Sequence, residues 1–283
     1  MDIGEIEKPN KMKNIIPPRQ FAKEVCPFFI PVIVCIVVFL MPSLWQENLI
    51  FSSQTINWWN WFTYIFVHES LTHLLGNIII YSIAILFAYS ILPENERKDS
   101  WLLILLILAI TPVITLVLTL IFLPQMQGYS RGFSGITAGA LGILCLAISR
   151  IIHRISSNDS QKMSLLTSSY LILLPSLAFL VWNLSFKLFA LISLFWIGLI
   201  ALIMYNSKKG KINEKITILS RKDSLKIGLG IIILLLGMLS LFPQMIKQPN
   251  GSIVNILAHF LGFVVGFLVM FFKASNRLSK KFI

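Results

Sequence analysis

Charge is what this 283-residue chain has least of: 13% of its residues are Asp, Glu, Lys or Arg, against 56% that are hydrophobic. An ordinary soluble domain carries about a quarter charged residues, so that class is excluded at the outset. Acidic residues number only 12, and they fall in loops, termini or helix edges. An aspartyl intramembrane protease needs two facing carboxyl groups inside the bilayer, and proton-coupled transporters usually build relays on buried Asp, Glu or His. The first class lacks its raw material here, and the second is poorly supported. Cysteine is nearly missing as well, with Cys26, Cys35 and Cys145 in no paired spacing, so neither a disulfide nor a metal site is indicated. Histidine occurs four times. The segment His68-Glu69-Ser70-Leu71-Thr72-His73 places two of these at i and i+5, roughly 140° apart on a helix, which disfavours the i, i+4 zinc-protease pattern.

What the chain has instead is long apolar runs. Segments able to cross roughly 30 Å of hydrocarbon occur at 28–45, 73–92, 101–123, 134–152, 165–184, 187–205, 225–242 and 253–272. The expected fold class is therefore all-α, a polytopic membrane helical bundle of about eight spans. The pair at 165–205 is joined by a short break, Trp182 to Lys187, and a re-entrant hairpin fits that stretch as well. The first run follows a polar stretch and lacks a small-x-small cleavage site, so it reads as a retained helix. The expected organisation is a basic cytoplasmic segment at 1–27, a membrane domain at 28–272 and a basic tail at 273–283.

The net charge of +12 is spread over many loops rather than gathered on one soluble face, so nucleic acid is not an expected partner. Basic loops stay in the cytoplasm. With both termini inside, all of the 24 Lys and Arg residues fall on the inner side except Arg131, Lys187 and Lys247. An even number of spans and an N-in, C-in topology thus support each other, with the lipid bilayer as the chain's surroundings.

Against this apolar background a few polar residues stand out, because polar groups in hydrocarbon are costly enough to mark functional sites. Ser134 lies in Gly132-Phe133-Ser134-Gly135 at the start of one span, and His259 near the start of the last. Gly135 and Gly139 are four apart, as are Gly262 and Gly266, a spacing that lets helices approach closely in lipid. If the two stripes pack together, the imidazole of His259 comes within reach of the Ser134 hydroxyl as its general base. His73 and Asn77 share one helix face and could donate toward an oxyanion, although an interhelical hydrogen bond from Asn77 fits the same spacing. Trp58, Trp59 and Trp61 read as an interfacial aromatic belt. With no acidic residue inside the bilayer to orient His259, a serine–histidine dyad is the most this chain can assemble.

These blocks resemble the rhomboid family of intramembrane serine proteases. The family's Trp-Arg-x-Phe-Thr is matched by Trp59 to Thr63, with Asn60 in place of arginine, and is followed by His68, His73 and Asn77 in the family's spacing. Its Gly-x-Ser-Gly is matched by Gly132 to Gly135, and its Ala-His-x-x-Gly-x-x-x-Gly by Ala258 to Gly266. The resemblance implies Ser134 as nucleophile and His259 as base. It gives His73 and Asn77 the oxyanion hole, together with the Ser134 amide, and His68 a structural role. It further implies a six-helix core in which 225–242 is the fifth helix and 165–205 an inserted pair. No cofactor would be needed. The substrates would be transmembrane proteins whose helices unwind easily, cut near the outer face of what is expected to be the cell membrane. The alternative is a catalytically silent rhomboid-like protein that binds transmembrane clients; the complete dyad and oxyanion set favours the enzyme, while Asn60 and the extra helices leave the alternative open.

Overall fold

The computed structural model describes residues 18–52, 57–97, 100–122, 129–156, 221–241 and 256–279, and the structural statements below concern these. Six long helices dominate: α1 (Pro18–Phe39), α4 (Leu71–Ile91), α6 (Trp101–Phe122), α7 (Ser134–Ser156), α8 (Arg221–Leu241) and α9 (Ile256–Ser279). Short helices α2 (Ser43–Glu47) and α3 (Asn60–Thr63), with a 3-10 turn at Tyr64–Phe66, fill the connection from α1 to α4; α5 (Glu94–Arg97) lies between α4 and α6. Strands β1 (Phe51–Ser52) and β2 (Tyr129–Ser130) pair antiparallel, Phe51 opposite Ser130 and Ser52 opposite Tyr129. The result is an all-helical membrane bundle. Four helices contain stretches long and apolar enough to cross a bilayer, Phe21–Phe39, Leu71–Ile91, Ser134–Ile152 and Asp223–Leu241; α6 and α9 carry shorter apolar stretches. The expected pair at 165–205 lies outside the described residues, as do Lys187 and Lys247.

The first helix differs most from the hydropathy reading, and α9 also continues past 272 to Ser279, into the stretch expected as a tail. Helix α1 begins at Pro18 and ends at Phe39 rather than running from 28 to 45. An apolar window misses its first turns because they carry Arg19, Lys23 and Glu24, and it runs past the end because Met41 and Leu44 are apolar without being part of the helix.

Helix α7 is the axis of the bundle. Of its apolar stretch 89% is buried, against 28–44% for the other three spanning stretches. The cause is composition: Gly135, Ala138, Gly139, Ala140, Gly142 and Ala147 leave its surface nearly bare, so neighbouring backbones can settle against it. Its closest neighbour is α9, followed by α4 and α8. A side chain at Gly262 would overlap the Gly135 carbonyl, one at Gly266 the Gly139 carbonyl, and one at Gly142 the Phe263 carbonyl. The two glycine stripes are therefore the α7–α9 interface itself. The outward face of α8 presents Leu225, Leu229, Ile232 and Leu236, all exposed and spaced for one helix face turned to lipid.

The helix ends opposite Ser134 are tied by polar contacts. Arg150 on α7 grips the buried Glu96 of α5 with two hydrogen bonds, one from Nε at 3.3 Å and a shorter one from Nη2. Tyr89 on α4 donates to Glu24 on α1 at 2.6 Å, and Arg97 lies over the Tyr89 ring. Breaking one half of such a buried pair typically costs about 3–5 kcal/mol, because the other charge is left unpaired.

Candidate active site

Glycine is required where the chain enters α7. Gly132 sits at φ 117°, a region L side chains rarely adopt, and a side chain there would press on His73 at 3.2 Å. Its N–H donates to the Tyr64 carbonyl at 3.0 Å, and the β1–β2 pair secures the chain just before it. The intrahelical ladder of α7 starts with Ile136 and Thr137 donating to the Phe133 carbonyl. The amides of Ser134 and Gly135 therefore belong to the open first turn, where N–H groups and the helix dipole favour developing negative charge.

His259 lies in the first turn of α9, one turn before Gly262, and is buried. Because Gly262 lets α9 rest on the α7 backbone, its Nε2 comes within 2.7 Å of Ser134 Oγ, across 125 residues of sequence. The ring also interacts with the backbone of Leu241, the last residue of α8, so three helices converge on this pair.

The α4 side of the site is organised by His68, which lies in the turn before that helix. Its Nδ1 meets the Phe66 carbonyl at 3.2 Å, while Nε2 receives the Phe133 N–H and faces Asn77 Nδ2, both at 3.3 Å. One tautomer satisfies all three contacts: Nδ1–H donates, and Nε2 accepts from an amide of each neighbour. That tautomer is neutral. Burial, and secondarily the nearby His73, push the His68 pKa down to about 4 despite the opposing Phe66 contact. Asn77 is buried, and its backbone carbonyl accepts from Thr137 Oγ1 on α7 at 3.4 Å. His73, whose N–H is capped by Ser70 Oγ at 3.2 Å, has its ring beside Gly132 and 5.3 Å from the His68 ring.

Ser134, His259, His73, Asn77, His68, Gly132 and Gly135 thus occupy one end of the bundle. The Asn77 side chain is engaged with His68, in the turn before its own helix, and only its backbone carbonyl is bonded across to α7, by Thr137; its amide stands beside the entry to α7. Other participants had little sequence signal: the carbonyls of Tyr64 and Leu241, and the Phe133 amide, act through backbone atoms that any residue carries. The same holds at Asn60, a buried residue whose Nδ2 donates to the Ile50 carbonyl at 2.9 Å, and at Thr63, which bonds Leu49 O at 2.9 Å. These two side chains hold α3 to the segment leading into β1, which pairs with the strand entering the serine loop.

Comparison with known proteins gives one match. A family model described as Rhomboid domain covers residues 55–208, more than half of the chain, and includes His68, His73, Asn77 and Ser134. His259 lies beyond the matched stretch and joins the site through its contact with Ser134. No curated protein and no solved structure matches the chain.

Proposed function

The chain belongs to the rhomboid family, an intramembrane protease family, and from that premise we propose that this integral multi-pass membrane protein is an active serine endopeptidase. It would cleave transmembrane substrates near the outer face of the bilayer. The observation that carries the reading is the 2.7 Å contact between His259 Nε2 and Ser134 Oγ beside the open first turn of α7.

In the proposed cycle His259 takes the Ser134 proton as Oγ attacks the scissile carbonyl carbon. The resulting oxyanion is received by the Ser134 amide with the His73 ring and the Asn77 amide. The tetrahedral adduct collapses, the C–N bond breaks, and His259 returns the proton to the leaving amine, leaving an acyl group on Ser134. Water, deprotonated by the same imidazole, then hydrolyses that ester and restores the hydroxyl. Serine proteases usually hold their histidine with a carboxylate. Here the His259 ring lies instead beside the backbone of Leu241 at the end of α8. The eight-span, N-in and C-in topology, with 165–205 as an inserted pair, belongs to the same proposal.

A fluorophosphonate probe tests the reading without a known substrate. Purified wild-type protein should label at Ser134, and Ser134→Ala and His259→Ala should each abolish both labelling and cleavage of transmembrane reporters. Folded wild-type protein that neither labels nor cleaves would favour the catalytically silent, client-binding reading instead.

A further inference from the structure

Beside the dyad lies a charged pair that the catalytic cycle does not use. Arg131 directly precedes Gly132, the residue packed against His73, with the Gly132 side-chain position 4.0 Å from Ser134 Oγ. Its Nη2 lies 3.1 Å from Glu69 Oε1, next to His68. The backbone around Arg131 is held on both sides, by the β2 pairing with β1 and by the Gly132–Tyr64 hydrogen bond. The side chains themselves are open, 34% exposed for Arg131 and 40% for Glu69. The Arg150–Glu96 pair at the far end is the contrast, at 14% and 3%. A buried pair is locked, whereas an exposed one contributes only about 0–1 kcal/mol and exchanges partners at little cost.

We propose, resting on the protease reading above, that Arg131 exchanges Glu69 for an acidic residue of the substrate just outside its transmembrane segment, and so selects substrates with an acidic outer flank. Membrane insertion supplies the complementary chemistry. Basic residues are depleted from short segments on the outer side, so the charge a transmembrane substrate brings to this face is predominantly negative. Arg131 runs against the same bias. By the proposed topology it is a basic residue on the outer side, and it stands one residue from the glycine that shapes the site.

The test uses three single-span reporters in liposomes, identical except for Asp-Asp, Asn-Asn or Lys-Lys at the outer flank. Wild type should cleave the acidic reporter with a kcat/KM about five- to tenfold above the basic one at low salt. The ratio should shrink toward one as salt shortens the screening length to about 3 Å near 1 M. Arg131→Gln should bring the ratio close to one, and Glu69→Gln, which frees the guanidinium, should raise it. Each ratio is taken within one preparation, so partial loss of folded protein cancels. If the pair is only a structural clasp, both variants slow all three reporters alike and keep the wild-type ratio, which overturns the proposal. Wild type that labels with fluorophosphonate yet cuts the three reporters equally also overturns it, and leaves the hydrolase reading standing. Absence of both labelling and cleavage overturns both.

Discussion

At the scale of single residues, the site depends on which side chains accept and which donate. His68 must stay neutral so that its Nε2 can accept from Phe133 N–H. Because the fold holds its pKa near 4, below the ordinary 6.5, folding favours the neutral ring. That contribution to stability is complete above about pH 6.5 and is lost as pH falls from there toward 4. His259 must also be neutral to act as a base. Reporter cleavage is therefore expected to hold from pH 8 down to about 5 and to fall as pH approaches 4, where His68 gains its proton, and cleavage that already declines between pH 8 and 6 would contradict this account. Asn77→Ala should lower turnover by roughly 10- to 1,000-fold, the scale of losing one oxyanion donor. A kcat loss below about twofold would remove Asn77 from the proposed oxyanion hole and leave its amide as the partner of His68. Asn60, at the position where the resemblance leads to an expectation of arginine, is tied to the backbone nearby. Its amide reaches the Ile50 carbonyl from a buried position, a tether of the neutral kind worth about 1 kcal/mol.

At the scale of elements, the proposed catalytic geometry is a consequence of helix contact. Ser134 and His259 belong to different helices, and their separation is set by how closely α7 and α9 approach at Gly135 and Gly262. Gly262→Ala places a methyl group against the Gly135 carbonyl, so the helices must part. A misplacement of about 1 Å can cost on the order of 100-fold in rate. The variant should thus lose at least that much turnover while keeping its helical circular dichroism and both dyad residues. Full activity in Gly262→Ala would show that the stripe does not position the histidine. The same logic extends to α8: the backbone of its last residue, Leu241, lies beside the His259 ring, so displacement of this helix would also displace the proposed base.

At the scale of the whole molecule, the two ends of the bundle have different characters. The Ser134 end carries the connection from α1 to α4, the histidines His68, His73 and His259 and the exposed Arg131–Glu69 pair; the other end is closed by Arg150 with Glu96 and by Tyr89 with Glu24. With the proposed topology the first end faces outward. Thr72→Cys, at an exposed position at the start of α4, should react with a membrane-impermeant maleimide on intact cells. A tag at the C-terminus should become accessible only after permeabilisation. The reverse pattern would overturn the orientation, and accessibility of both from outside would require an odd number of spans.

The amino-acid pattern by itself determined the all-helical membrane class, because scarce charge and apolar runs of spanning length leave a chain few other ways to satisfy its backbone in lipid. It also singled out the polar residues of the site, since each is conspicuous against hydrocarbon-forming neighbours. It misplaced the first helix because hydropathy averages over side chains and cannot see polar turns that continue a helix. Only the tertiary structure decided the distances: the Ser134–His259 contact, the choice of one His68 tautomer by Phe66, Phe133 and Asn77, and the Asn60 tether all depend on backbone atoms brought together from distant positions. A backbone carbonyl or amide is the same at every residue, so its partnership leaves no mark in a sequence until packing selects it.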